Sequence, residues 1–411
     1  MSACPFYFIP EGESMMYRYD EVMTYCKEED VKFIRLAFCD LAGRQKNIAI
    51  MPSELERAFR YGISFDASAI EGFGDVVKSD LFLFPDPSTL SVLPWRPSHG
   101  RVVRMFCDIR HPDGSPFAKD SRYLLKQAIQ EAEQLGISCF FGVEFEFYLF
   151  KTDENGEPTH IPFDQAGYMD IAPEDRGENI RRDICLTLED MGIWPESSHH
   201  EEGPGQNEID FRYSDALSSA DNALTFKSVV KTIAMQNGLY ACFSPKPLKE
   251  CSGNGLHINI SLKSSRKKED TEAFMAGVLH HIREISAFLN PTEESYLRLG
   301  EKKAPKYITW SSENRSQLIR IPAASGEYAR FELRSADPQA NPYLAYALLI
   351  YAGLEGIRQR FPLCEPLDLN LYTAGAEITA GLKTLPLTLE EARKEATHSG
   401  LIRRYLPQLL D

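Results

Sequence analysis

Three short stretches of the chain set polar residues on one parity and large apolar residues on the other. In Gly142 to Phe150 (GVEFEFYLF), Glu144 and Glu146 alternate with Phe145 and Phe147. In Leu256 to Leu262 (LHINISL), His257, Asn259 and Ser261 alternate with Ile258 and Ile260. In Arg330 to Arg334 (RFELR), Arg330, Glu332 and Arg334 oppose Phe331 and Leu333. Successive side chains of a strand point to opposite faces, so each stretch reads as a strand with one packed and one polar face. Further elements follow from the same patterning. A short helix is expected around Glu21 to Glu28, and alternation on both sides of Asp40-Leu41-Ala42-Gly43 predicts a β-hairpin over Val31 to Ile50. Proline and glycine punctuate Phe82 to Gly100, and a second break at His111 to Pro116 marks a domain boundary. Beyond it a helix is predicted with Asp120 as N-cap, an apolar face of Leu124, Leu125, Ala128, Ile129, Ala132 and Leu135, and Gly136 as its stop.

Any one amphipathic strand is explained by a wet outer face. The three polar faces together are different, because they hold Glu, His, Asn, Ser and Arg rather than mixed Lys, Thr and Ser. Side-by-side carboxylates repel unless a cation offsets them. A fourth segment, His199 to Glu208 (HHEEGPGQNE), adds Glu201 and Glu208 around a Gly-Pro-Gly turn. Neighbouring loop histidines commonly donate hydrogen bonds or lie exposed, so His199 and His200 are not assigned as ligands and Glu202 is read as solvent-facing. Oxygen-rich ligation with one imidazole suits Mg²⁺ or Mn²⁺ better than zinc, and paired hard cations suit phosphoryl transfer. Arg315 and Arg320, in NRSQLIRIP, are candidates for an anion clamp.

Composition narrows the class. The chain has 411 residues, 43% of them hydrophobic and 26% charged, which is too long for one ordinary domain and normal for globular proteins. Without a long apolar run or a leader-like start, neither membrane insertion nor secretion is expected. Nine cysteines with no CxxC pair read as reduced thiols, in keeping with a cytoplasmic protein. A formal charge of −15 argues against nucleic acid as a partner. The lysine-rich run Lys263 to Lys268 reads as a solvated loop, and His280 and His281 as surface residues of a helix.

At these residues the sequence resembles the glutamine synthetase family, bacterial type I branch, over about Val31 to Leu387. Phe65 to Ile70 (FDASAI), Pro245-Lys246-Pro247-Leu248, GNGLHINIS and Ala336 to Leu344 (ADPQANPYL) follow in family order. The resemblance implies an α+β chain: an N-terminal β-grasp domain over residues 16–110 and, over 117–411, a larger glutamine synthetase-type catalytic α/β domain with a curved antiparallel sheet. It implies ATP and Mg²⁺ or Mn²⁺ as cofactors, two or three ions per active site. Glu146, Glu201 and Glu208 match the ligands of one ion, and Glu144, His257 and Glu332 those of another. Arg298, Arg334 and Gly253 match glutamate-holding residues, with Glu146 bordering that substrate. Arg315, Arg320 and Arg330 match those that steady the transferred phosphoryl group. Glu196, Asn259 and Ser261 match nucleotide contacts, joined by Arg320 and Arg330. Asp66, donated by a neighbouring subunit, and Tyr168 match the ammonium site. The implied assembly is a homo-oligomer with active sites between subunits, a hexameric ring or double ring. The last residues, Leu406 to Asp411, fall short of the segment that joins two rings in type I members.

The implied reaction phosphorylates the γ-carboxylate of glutamate with ATP and lets an amine nitrogen displace phosphate. Three departures bear on the nucleophile. The flap Arg298 to Pro305 is one residue short and presents Lys303 where the family has a glutamate, leaving Glu301 as the substitute carboxylate. Ser252 and Ala69 each trim a polar contact. A lysine beside an ammonium site disfavours a second cation. The expectation is therefore an amine other than ammonia, or an acceptor other than glutamate. Authentic glutamine synthesis is the main alternative, and a catalytically silent binding or regulatory relative the second.

Overall fold

The computed structural model describes residues 19–410 apart from 75, 97–98, 302, 325 and 327–328. Residues 16–18, where the first domain was expected to begin, and Lys302 of the flap lie outside the described residues. Helix α1 (Tyr19–Glu28) leads into the expected hairpin, β1 (Val31–Cys39) and β2 (Gln45–Ile50). Asp40 closes the turn by accepting from the Arg44 amide at 2.8 Å, and Gly43 takes the positive φ of 76° that the turn requires. Helix α2 (Leu55–Tyr61), β3 (Ile63–Asp66), β4 (Asp80–Pro85), β5 (Ser91–Val92) and β6 (Arg101–Arg110) complete a sheet ordered β2-β1-β6-β4-β3. β1 and β6 run parallel in its centre, and β5 pairs with β6.

The larger part begins with α3 (Ser121–Gln134), capped as predicted: the Asp120 side chain accepts from the Arg122 amide, and Gly136 follows the helix with φ of 72°. It continues through β7 (Ser138–Thr152), β8 (Pro158–Pro162), α4 (Glu178–Asp190), β9 (Pro195–His200), β10 (Gln206–Asp215), α5 (Ala216–Gln236), β11 (Leu239–Cys242), β12 (Leu256–Lys263), α6 (Lys267–Leu289) and α7 (Glu293–Arg298). Strands β13 (Trp310–Ser312), β14 (Ile319–Ile321) and β15 (Phe331–Leu333) precede α8 (Pro342–Gln359) and shorter C-terminal helices. Together the strands form a curled mixed sheet ordered β13-β14-β15-β12-β7-β10-β9, with β8 and β11 on β7. It is antiparallel except for β13 and β14, which run parallel, so the expected antiparallel sheet is corrected at that edge.

The apolar parity of β7 decides which face of this sheet is covered. Phe145 stacks on Phe226 of α5 with ring centres 4.9 Å apart, and Phe141 on Tyr346 of α8 at 4.2 Å. With those helices on one face, the polar parity is left to the other, where the site lies. A second apolar cluster fills the smaller sheet around Ile34, Leu36, Leu83, Val103 and Met105. The two parts are joined by Arg122, whose guanidinium reaches Asp86 (2.9 Å), Asp108 (3.1 Å) and Asp221 (3.0 Å).

Two surface expectations change. Lys267 and Lys268 are exposed as expected but form the first turn of α6, where Glu269 and Asp270 suit the helix N-terminus, so the lysine run is not all loop. His281 is buried, not on the surface, with Nδ1 2.9 Å from Glu284, because it falls on the face of α6 that packs inward. Among the described residues every cysteine is unpaired and no helix is long and apolar enough to cross a membrane.

Candidate active site

Strand register builds the site. Glu146 of β7 lies directly opposite Glu208 of β10, and Glu208 opposite His199 of β9. One step of the pleat away, Glu144 is flanked by Asp210 on β10 and His257 on β12. Glu332 of β15 sits between Asn259 and Arg320. Like charges directly opposed across a ladder are destabilising in water, and here Glu146, Glu201, Glu208 and Glu332 are buried as well.

The groups satisfy one another only in part. Glu144 is pushed up by burial, but hydrogen bonds with His257 (3.1 Å) and Asn259 (2.8 Å) outweigh that and hold its pKa at about 2. Glu208 is raised by burial first, and the carboxylates of Glu146 and Glu144 add to the shift. His199 Nε2 lies 3.2 Å from Glu208, and that hydrogen bond lifts the imidazole to about 9. Arg320 and Arg334 both pair with Glu332, Arg320 at 2.7 Å. Glu146 accepts from the Gly255 amide at 2.7 Å.

Two overlapping sets could each hold a cation: Glu144, Glu208 and His257, and His199, Glu201 and Glu208, with ligand atoms within 4.8 Å in each. Their chemistry fits a hard divalent ion: mostly carboxylate, partly buried and mutually repelling. The grouping departs from the expected one: Glu146 falls in neither set, and Glu208 belongs to both. His199, which was left unassigned, enters beside Glu201 and Glu208, and Glu332 is engaged by arginines, though its Oε1 lies 3.8 Å from His257. His200 is fully buried instead, between the Glu201 carbonyl at 2.6 Å and Asp164 at 2.9 Å, which pins the turn that carries Glu201.

The other expected residues fall in three places. Glu196, Asn259, Ser261 and Arg330 line one small cavity beside Glu144, and Arg330 Nε donates to Asn259 at 2.9 Å. Arg298 and Arg334 are both buried, Arg298 against Gly253, where an added Cβ would stand 2.8 Å from Arg298 Cγ. Tyr168, Glu301 and Lys303 line a larger cavity of about 870 Å³. Arg315 is exposed and faces a separate hollow, and Asp66 is exposed at the end of β3, accepting from Ser68 Oγ at 2.6 Å. Within the single chain neither is brought to the carboxylate cluster.

Lys303 adopts φ of 62° and turns into the site. Its Nζ lies 3.2 Å from Glu201, 3.3 Å from Glu202 and 4.5 Å above the Tyr168 ring. Burial lowers its pKa, and Glu201 and Glu202 more than reverse that. Glu202 is thus exposed yet engaged, also accepting from Ser252 Oγ at 3.0 Å. Sequence reasoning missed Asp210 and Tyr372. Asp210 shares the parity of Glu208 and lines the small cavity, where burial and then Glu208 lift it to about 8. Tyr372 lines the large one, and its hydroxyl donates to the Arg315 carbonyl at 3.0 Å. The parity of β10 could have exposed Asp210; no local pattern marks Tyr372.

Comparison with known proteins settles the ancestry of this arrangement. Residues 30–112 match the family model "Glutamine synthetase, beta-Grasp domain" and residues 118–410 "Glutamine synthetase, catalytic domain". The chain belongs to the glutamine synthetase family. Among its relatives is a glutamine synthetase of Methanosarcina mazei, 47% identical over 94% of this chain and 90% of that one. One from Staphylococcus aureus is 44% identical over the same shares. The structure of GmaS in complex with ADP superposes with a TM-score of 0.85 at 30% identity, covering 93% of this chain and 91% of GmaS. Membership makes this glutamine synthetase relative an ATP-dependent carbon–nitrogen ligase, and a family that uses ATP and divalent metal suits the cluster just described.

Proposed function

We propose that the chain is a glutamine synthetase in the strict sense, joining ammonia to the γ-carboxylate of glutamate through a γ-glutamyl phosphate. The observation that carries this is Lys303 paired with both Glu201 and Glu202. The expectation of another amine rested on an unpaired flap cation repelling ammonium. A lysine neutralised by two carboxylates exerts much less of that repulsion. Whole-chain relatives named glutamine synthetase, at 44–47% identity, favour the same reading over the amine ligase.

In this reading Glu144, Glu146, Glu201, Glu208, His257 and Glu332, with His199 beside them, would hold Mg²⁺ or Mn²⁺. Bound ions would neutralise the polyphosphate of ATP. Glu196, Asn259, Ser261 and Arg330 would receive the nucleotide, and Arg298, Arg334 and Gly253 the glutamate. Arg320 would move from Glu332 to the transferred phosphoryl group, a charge-assisted contact of the same kind. Burial of Glu146, Arg298, Glu332 and Arg334 would limit water around the acyl phosphate, which hydrolyses readily. Arg315 would reach in from the exposed loop between β13 and β14, and Asp66 would come from a neighbouring subunit of a ring. Their exposure supports this.

The test is phosphate release and product mass with ATP, glutamate and a panel containing ammonia and primary amines. Ammonia is expected to give the highest kcat/KM, and faster turnover with any primary amine would overturn the assignment. One observation favours that second reading: Lys303 already lies over the Tyr168 ring, where the family receives ammonium.

A further inference from the structure

Between the two apolar cores lies a cavity of about 160 Å³ that the proposed chemistry does not use. Strands β1, β2 and β6 and the segment after β5 form one side, and α5 supplies most of the other. Three guanidinium-bearing residues line it, Arg35, Arg96 and Arg104, together with the hydroxyl residues Thr225, Ser228 and Thr232. Among the described residues no carboxylate does.

Arg104 is the centre of the case. It is only 7% exposed, and its guanidinium carbon lies 4.1 Å over the Phe106 ring. Nη1 donates to Thr225 Oγ1 at 2.6 Å, while Thr225 passes its own proton to the Asp221 carbonyl at 2.8 Å. Nε is buried without a partner. The acid that most affects this arginine is Asp221, whose carboxylate is already engaged by Arg122 at 3.0 and 3.1 Å and by the Tyr343 hydroxyl. Three other buried arginines, Arg122, Arg181 and Arg334, each meet a carboxylate, and a fourth, Arg298, donates to the Ser335 and Arg334 carbonyls. A guanidinium taken out of water without a counter-charge is costly unless an anion joins it; burial accordingly draws the Arg104 pKa down to about 10.

We propose that this cavity binds a small oxyanion, a carboxylate or phosphate group, held by Arg104 and Arg35 between the N-terminal sheet and α5. The unpaired Nε would supply a donor once the side chain turns toward the cavity. Gln45 Oε1, also in the wall, lacks a partner, and turning that amide over presents its NH₂ instead. Arg35 donates to Asn47 at 3.0 Å, and Arg96 stands exposed at the rim. The volume suits a phosphate or short dicarboxylate and excludes a nucleotide. The guanidinium donors come from the N-terminal sheet and α5 of the catalytic part forms the opposite wall, so the anion would sit in the seam between the sheet that carries Asp66 and the catalytic part. The inference does not depend on which amine is the nucleophile.

Crystals of the full chain soaked in tungstate should show an anomalous peak within hydrogen-bonding distance of Arg104 Nε. Calorimetric titration with inorganic phosphate and, separately, succinate then distinguishes the two anion classes. Arg104→Met and Arg35→Gln should each weaken that binding about tenfold or more, the cost of one charge-assisted hydrogen bond. Arg35→Gln removes a rim residue and keeps the test open if Arg104→Met does not fold. Anion density confined to the catalytic arginines, or affinity unchanged in the folded variants, would overturn the proposal.

Discussion

Glu201 and Lys303 show how one residue can mask another's role. The lysine lies 3.2 Å from a carboxylate expected to hold metal, so cation and ammonium group compete for the same oxygen. Lys303→Ala should lower the half-saturating Mn²⁺ concentration by up to about fivefold, the range of a partly exposed ion pair. Activity titrated against metal checks this, and an unchanged or higher half-saturation would show that the lysine leaves the site freely. Residue identity was legible for the carboxylates of β7, whose alternation with phenylalanine is unambiguous. It was not for His199, because a histidine pair at a turn reads alike whether it binds, caps or lies exposed. Only pairing with Glu208 across two strands shows its direction.

At the scale of elements, the loop before β12 is shaped by the absence of a side chain. A Cβ on Gly253 would stand 2.4 Å from the Pro245 carbonyl and 2.8 Å from Arg298 Cγ, closer than real contacts allow. Gly253→Ala should therefore displace Arg298 and raise the KM for glutamate by about tenfold or more, with a smaller change for ATP, since misplacement of about 1 Å is enough. Steady-state kinetics in each substrate decide it, and equal shifts would place the fault in folding. Strands and helix α3 were legible because period and capping are local. The parallel β13–β14 edge was not, since each strand is only three residues long and direction depends on the partner.

Across the whole molecule, Arg122 gathers Asp86, Asp108 and Asp221 from elements far apart in sequence. Replacing it with Met leaves these carboxylates without their shared cation and should cost about 3–5 kcal/mol, read from denaturant unfolding. Burial raises Asp86, but Arg122 together with Ser88 and Lys126 outweighs it and leaves the carboxyl below its usual value. A depressed folded pKa contributes stability that is present above the unfolded value and lost as pH falls through the folded one. The wild type should thus lose stability on acidification below about pH 4, and Arg122→Met should show a shallower loss. A second prediction concerns assembly. If sites form between subunits, inactive Asp66→Ala and inactive Glu146→Gln chains should regain activity when unfolded, mixed and refolded together. Mixtures that stay inactive would place both residues in one chain's site.

The sequence by itself determined the β1–β2 hairpin, the strands β7, β12 and β15 with their charged face, and the family, because alternation, capping and long motif runs are carried by neighbours in the chain. Tertiary structure alone decided which carboxylates face each other, where Lys303 points and that Arg104 is buried without a counter-ion. Those depend on register between strands and on packing between the two sheets. Coulomb and desolvation terms act across space, and sequence spacing does not record them.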